Sequence, residues 1–428
     1  MTINFTPGSQ QWLGIAKETT YGVPVAAPTI WIPVSNPKYN PNVTVLTDNN
    51  LRGMMGGNFQ ATQGMTYTDL SYQTMIYKDS VFPHLLAMLG VADTVTTLAA
   101  TTLTKGTTAT TGGTLPAGNT YWKVTADIVG GEGIGSNEVT ALLTGATSTQ
   151  VLSWTAVTGA TGYNVYRGTA AGVENVQVAN LGNVTTYTDT GLTVGAGAPP
   201  TTAGNVHKTA LLNTGNGQPP SYTGWLLEGD KCEQIPGMVA VDLKFTFVVN
   251  QNSTVDVSWA GMPATAVTPP TNTPSTVAPF PPYTTLISIG GSVVGSRSGA
   301  TIDMKRSTVP IPVLNGTSAP LAIFGGPVTV TGTIDAVFQG STDPDLINLL
   351  TNAQPALVIT SSPQNDPAHP ITLRCSQIAY TTAAPAGSNT SWMTIASAFN
   401  ALMNPTDALD GMLSPVQGML CTTSSTPF

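Results

Sequence analysis

Three histidines (His84, His207, His369) and three cysteines (Cys232, Cys375, Cys421) are the side chains of this 428-residue chain best suited to activating a nucleophile or holding a soft metal. Their spacing serves neither purpose. There is no His-Glu-x-x-His pair for zinc, no Gly-x-Ser-x-Gly elbow, and no Gly-rich loop closing on Lys-Ser/Thr. His84 falls in an expected short helix, and His207 and His369 in expected loops. The cysteines are odd in number and lack paired spacing, so they read as buried, reduced thiols of a protein made in a cytoplasm. The run Gly130-Gly131-Glu132-Gly133-Ile134-Gly135 lies between two expected strands. It reads as a hairpin turn, because a phosphate cradle needs a strand-to-helix step. Asp343 and Asp345 could supply the carboxylate pair of a glycosidase. At the start of a helix, however, they complement its dipole. No segment gathers aromatic and ionisable residues as a catalytic pocket would, so the expectation is no enzyme, no cofactor and no metal.

Other carboxylates stand at alternating positions of strand-like runs, where successive side chains point to opposite faces. Residues 328–339 read V-T-V-T-G-T-I-D-A-V-F-Q, with Thr329, Thr331, Thr333, Asp335 and Gln339 on one face. Asp242 lies opposite Val241, Leu243, Phe245 and Phe247, and Asp303 lies opposite Ile302 and Met304. Asp69 shares a face with Ser71 and Gln73, Lys244 shares the Asp242 face, and Lys305 shares the Asp303 face. These are either ordinary surface charges or the lining of something.

Composition favours sheet. Only 8% of residues are charged, against about 25% in an ordinary globular domain, and β-branched Thr is abundant. So little charge suits a surface that neighbouring molecules cover. The net charge is −8 and no Lys/Arg run occurs, which argues against tight phosphate binding. The N-terminal run MTINFTPGSQQWLG has neither the positive nor the apolar region of a signal peptide. No apolar run approaches the roughly 18 residues needed to span a bilayer, so membrane insertion is not expected.

The chain also repeats itself. Lys231-Cys232-Glu233-Gln234-Ile235 matches Arg374-Cys375-Ser376-Gln377-Ile378. Upstream of each is a short helix candidate with an early Pro (residues 80–89 and 343–350). Before each helix comes an alternating strand (residues 65–77 and 328–339), and after each Cys motif another (residues 239–250 and 392–403). From Leu86 to Cys232 is 146 positions, but from Leu350 to Cys375 only 25, so an insertion lies between about residues 92 and 213. It contains several short strands with turn signals, the pattern of a β-sandwich. Thr/Ala/Gly-rich stretches at residues 91–111 and 193–205 read as its linkers, and the Pro/Thr-rich run 262–283 as a semi-rigid tether between the halves.

The insertion resembles a fibronectin type III or Ig-like domain. The resemblance rests on Leu152-Ser153-Trp154, on Val157 to Arg167 (V-T-G-A-T-G-Y-N-V-Y-R), and on Thr186 to Leu192 (T-Y-T-D-T-G-L). It implies a core built on Trp154, Tyr163, Tyr166 and Tyr187. The remainder resembles the major tail tube proteins of phages with long, non-contractile tails (siphophages). There the carriers are Leu13 to Pro24 (L-G-I-A-K-E-T-T-Y-G-V-P), the Pro-rich arm through Pro33, and the long hairpin of residues 46–64 with Asn50-Leu51-Arg52-Gly53. Many such proteins hold one copy of the fold, whereas this chain carries two.

The resemblance implies a mainly β protein: tandem tail-tube β-sandwich/barrel units with short helices, plus the inserted sandwich. The expected division is a first unit at residues 1–91 and 214–261, the insertion with its linkers at 92–213 (core about 101–202), a linker at 262–283, and a second unit at 284–428. It further implies stacked rings that conduct double-stranded DNA without holding it. The ring would be a pseudo-sixfold trimer, with a hexamer as the alternative. Asp69, Asp242, Asp303 and Asp335 would line the lumen, while Lys17, Glu18, Tyr21, Leu51 and Arg52 would make contacts between rings or subunits. The implied partners are copies of the chain itself, a tape measure inside the lumen, and terminator and distal tail proteins at the ends. Assembly would take place in the bacterial cytoplasm for incorporation into the virion. The insertion would face outward and could bind host-surface carbohydrate weakly. Two other readings stay open at this point: a glycan-binding adhesin, and a polysaccharide-degrading enzyme with an accessory module.

Overall fold

The structure, a computed structural model, describes residues 7–428 except 51, 54, 56, 57, 129, 130, 365, 367, 389, 390 and 407–412. The chain begins with β1 (Trp12–Lys17) and β2 (Ile30–Ile32), then the long hairpin β3 (Ser35–Asp48) and β4 (Gln60–Met75), helix α1 (Val81–Leu89) and β5 (Thr94–Thr97). Residues 103–196 supply β6 (Leu103–Ala109), β7 (Gly118–Ile128), β8 (Gly131–Glu132), β9 (Val139–Leu143), β10 (Thr149–Trp154), β11 (Ala160–Gly168), β12 (Val176–Gly182), β13 (Thr186–Asp189) and β14 (Gly195–Ala196). Then come β15 (Asn205–Thr209), β16 (Tyr222–Glu228), β17 (Lys231–Val248), β18 (Thr254–Gly261) and β19 (Thr265–Val267). The last part holds β20 (Leu286–Ile289), β21 (Ser292–Val293), the hairpin β22 (Arg297–Pro310) and β23 (Ile323–Val337), helix α2 (Pro344–Thr351), β24 (Leu357–Ser361), β25 (Ile371–Cys375), β26 (Ile378–Ser388), β27 (Ser391–Ala401) and β28 (Gln417–Thr422).

One antiparallel path dominates, in the order β3-β4-β18-β17-β22-β23-β27-β26. Its first four strands and its last four are laid down by the same succession of hairpins. Registers repeat as well. A bulge follows Ala240, which faces Trp259, and another follows Tyr380, which faces Phe399. Behind this long sheet lie two covers, β2-β1-β16-β17 with β19, and β21-β20-β24-β25-β28-β15-β5. Leu13 faces Leu226 in the first and Ile287 faces Ile359 in the second. The main core fills the space between long sheet and covers, and includes Leu70, Trp259, Phe245, Ile302, Ile334, Phe399, Leu357 and Leu373.

Alternation explains the long sheet. In β23 every second residue from Val330 to Ala336 is buried and Thr329, Thr331, Thr333 and Asp335 are exposed. Each helix ends on a left-handed residue, Gly90 (φ 94°) and Asn352 (φ 52°). Asp343 caps α2 by accepting from the N–H groups of Asp345 (3.0 Å) and Leu346 (3.4 Å).

Three sequence expectations need correction. The two Cys motifs are not in equivalent register. Gly224 faces Ile235 where Leu357 faces Cys375, so Cys375 matches Ile235, three residues beyond Cys232. An odd offset reverses the face of a strand. Accordingly Cys375 and Ile235 join the main core, while Cys232 packs separately with Ala16 and Trp225. The Thr-rich stretches flanking the insertion are not linkers, because β5 pairs with β15 and β15 with β28; Thr favours pleated backbone. The 262–283 run is tied down too. Its β19 pairs with β17, and Phe280 is fully buried with its N–H on the Ile76 carbonyl.

Residues 103–196 form their own two-sheet sandwich, β13-β10-β6 against β14-β12-β11-β7-β8 with β9 on β7. Their apolar cluster is separate from the main one.

Candidate functional site

The face of the long sheet turned away from the core is polar, and pairing arranges it in rows. One row crosses six strands as Lys38, Ser71, Ser258, Asp242, Lys305 and Thr329. The next runs Gln73, Asp256, Lys244, Asp303, Thr331 and Asn400. A third is mostly hydroxyls: Thr254, Thr246, Thr301, Thr333, Ala398 and Thr382. Asp335 follows in a fourth row, and Asp69 lies beside Lys38's row, accepting from Asn42 Nδ2 at 2.6 Å. The four carboxylates expected on one surface therefore do share it. Asp256 and Lys38 belong to it as well and went unnoticed in the sequence. For Asp256 the signal was present in the alternation of T-V-D-V-S-W at residues 254–259.

Charges concentrate where β17 meets β22. Lys305 Nζ lies 2.9 Å from Asp303 and 3.9 Å from Asp242. Partial burial, then the neighbouring Asp303 carboxylate, pushes Asp242 up to about 6. Carboxylates outnumber ammonium groups on this face, and arginine is missing from the rows above. The surface repels phosphate more than it grips it.

The two outer strands of the path are edges. Among the described residues β3 pairs only with β4, and β26 only with β27. Both carry proline, Pro37 and Pro41 on β3 and Pro385 on β26. Proline suits edge positions, where its missing N–H would face outward.

Of the residues expected to make contacts between copies, two serve the chain internally. The Glu18 carboxylate is buried and accepts from Ser221 Oγ (2.6 Å), Thr223 Oγ1 (2.8 Å) and the N–H groups of Gly22 and Gly237 (both 2.8 Å). Tyr21 Oη donates to the Gly237 carbonyl (3.2 Å) and accepts from Ile323 N–H (2.6 Å), joining the first half to β23. A carboxylate with four internal donors has no capacity left for a partner. Lys17 is exposed at the end of β1. Arg52, at the hairpin tip, pairs with Asp48 and lies over the Phe59 ring at 4.8 Å. Leu51 is outside the described residues.

In the sandwich, Trp154 and Tyr163 pack with ring centroids 5.4 Å apart, and Tyr187 packs partly against the same cluster. Tyr166 is buried but outside that cluster, donating to Glu132 at 2.7 Å. Three positions from Tyr163, it occupies the opposite face of β11. The central aromatic is Trp122, fully buried, whose Nε1–H donates to Asp189 at 2.8 Å.

Of the two carboxylates that an enzyme reading could have used, Asp343 caps α2 and Asp345 is sunk under the long sheet. Asp345 is paired with Arg297 and accepts from Tyr380 (2.9 Å) and Ser397 (3.1 Å), so it is a structural anchor. Burial likewise pushes the Cys375 thiol up to about 12, leaving little thiolate for chemistry.

The long sheet thus has one polar face, one core face and, among the described residues, two edge strands paired on one side only, a frame for structure rather than for catalysis. The family described as phage tail tube protein matches residues 8–401, and the chain belongs to it. It is therefore a non-enzymatic virion component that self-assembles and associates with other tail proteins. No curated protein matches the chain.

Proposed function

We propose that residues 1–91 with 214–261 and residues 284–428 are two tail-tube units, and that three chains close their long sheets into one barrel lining a tube for double-stranded DNA. The observation that carries this reading is the eight-strand path, made of two matching halves and open at both ends. Three copies supply twenty-four strands. At about 4.8 Å per strand and about 40° of tilt they enclose a barrel roughly 45–50 Å across between backbones. Six copies would give about twice that, far wider than a duplex needs, which favours the trimer. The polar face would line the bore, with Asp69, Asp242, Asp256, Asp303 and Asp335 discouraging phosphate from lodging there.

Rings of this kind stack into the long, non-contractile tail of a siphophage. A tape measure occupies the lumen before DNA does, and terminator and distal tail proteins close the ends. Assembly takes place in the host cytoplasm. The sandwich of residues 103–196, with a core of its own, is an Ig-like decoration facing outward, with weak affinity for host carbohydrate as its expected role. Cryo-electron microscopy of the purified, self-assembled chain tests the reading. Stacked threefold rings around an open bore are expected; compact monomers with covered sheet margins would overturn it. Deleting residues 101–202 is expected to give thinner tubes with the same bore.

A further inference from the structure

Within the chain the long sheet has one junction between its two halves, and that junction is a template for the junction its margins lack. Inside the chain β17 ends the first half and β22 begins the second, with Asp242 opposite Lys305, Lys244 opposite Asp303 and Phe245 opposite Ile302. The matching bulges place β26 where β17 stands, Thr382 falling on Asp242. The hairpin registers place β3 where β22 stands, Tyr39 falling on Ile302 and Asn40 on Asp303.

Resting on the tube reading, we infer that β26 of one chain pairs antiparallel with β3 of the next in this copied register: Thr382 opposite Asn42, Ala384 opposite Asn40, and Pro385 opposite Tyr39. Two features of the margins bear on this seam. The first is apolar exposure at both margins. Inside the chain the last turn of α1 is covered by Arg306 of β22, whose Nη2 donates to the Met88 carbonyl at 2.6 Å. Among the described residues the last turn of α2 has no such cover, and Leu350 is 75% exposed. In the copied register Val43 stands where Arg306 stands, and Val43 and Val45 are 46% and 61% exposed. Joining the margins brings these side chains to Leu350 and takes all three out of water.

The second is the prolines. In the copied register Pro41 meets Ala383 and Pro385 meets Tyr39, where the internal junction has Met304 with Leu243 and Ile302 with Phe245. Each proline pair keeps one N–H donor instead of two. The Asp242–Lys305–Asp303 cluster of the internal junction has the neutral Thr382, Asn42 and Asn40 as its counterparts. The chain–chain seam is therefore the weaker of the two, and its prolines disfavour slipped registers and stray strand pairing before a ring closes.

Paired cysteines test the register. Residues directly opposite one another between hydrogen-bonded pairs stand close enough for a disulfide, and the native thiols at 232, 375 and 421 are buried. In assembled tubes oxidised under mild conditions, Ala384→Cys with Asn40→Cys is expected to link chains into a covalent trimer on a non-reducing gel. Thr382→Cys with Asn42→Cys, a second in-register pair, is expected to do the same and serves if the first disturbs folding. Ala384→Cys with Asn42→Cys, slipped by two residues, is expected to link at least tenfold less. Preferential linking of the slipped pair would overturn the register. Tubes that form normally but link with none of the pairs would show that these edges do not meet, while leaving the tube reading intact. Failure of the wild-type chain to form any tube would remove that reading and this inference together. Leu350→Asp is expected to leave the thermal unfolding of the isolated chain unchanged and to abolish ring formation; unimpaired rings would count against the seam.

Discussion

The two helices occupy matching places beneath the long sheet, yet they are held differently. Every residue of α1 is buried, and its anchor is neutral: His84 lies 2.7 Å from both the Ser80 carbonyl and Tyr72 Oη, and Trp259 Nε1–H donates to Tyr72 Oη at 3.1 Å. Helix α2 buries only Asp345, leaves Ile347 and Leu350 exposed, and is anchored by the Asp345–Arg297 ion pair. The first helix has its neighbouring β22 within the same chain, whereas the second faces the chain's open margin. A charged anchor stays costly even when hydrogen-bonded, so the half that is complete uses neutral groups. The second half is held by an ion pair that Tyr380 and Ser397 help to satisfy.

The largest expected effect breaks the charged anchor. Asp345→Ala strands the buried Arg297 guanidinium and should cost about 3–5 kcal/mol, read from denaturant midpoints. Combining Asp345→Leu with Arg297→Met should recover most of that loss. If the double variant is as unstable as the single one, the ion pair is not what α2 depends on.

A smaller effect separates the helices by pH. Burial lowers His84 to about 4 from its ordinary value of 6.5. A lowered histidine stabilises the fold above 6.5, and that contribution is lost as pH falls toward 4. Wild type should lose of order 1–2 kcal/mol relative to His84→Gln between pH 7 and pH 5. Amide exchange should rise first in α1, and parallel pH profiles for the two proteins would refute this.

The smallest effect lies at the internal junction. Asp242 is raised to about 6, so its contribution is fully present below the unfolded value near 3.8 and is lost as pH rises through 6. Asp242→Asn should raise Tm slightly at pH 7.5 and leave it unchanged at pH 3.5. Side-chain exposure of 34% keeps the change well under the roughly 1.4 kcal/mol of a one-unit shift.

Much of this was legible because local rules coincide with tertiary ones. Period-2 runs in β4 and β23, early prolines in both helices and the spacing of the halves all followed from sequence. What stayed hidden depends on pairing between distant residues. Composition made Thr94–Thr97 look like linker, and only β15 and β28 make it a strand. The repeated Cys motif suggested a register that the ladders shift by three residues. Glu18 and Tyr21 looked available for partners because their own partners, Ser221 to Gly237 and Ile323, lie some 200 to 300 residues away. On the polar face, individual carboxylates could be named, but the rows that make them one surface required the registers of several strands at once.

The stem on which the sandwich sits has a practical consequence. Its two strands enter and leave side by side, with Thr97 opposite Asn205 and their side chains bonded at 2.7 Å. The chain thus offers a socket whose ends are about 5 Å apart, one strand spacing. Any cargo domain with similarly close termini could be spliced there in place of residues 103–196 without parting the two stem strands.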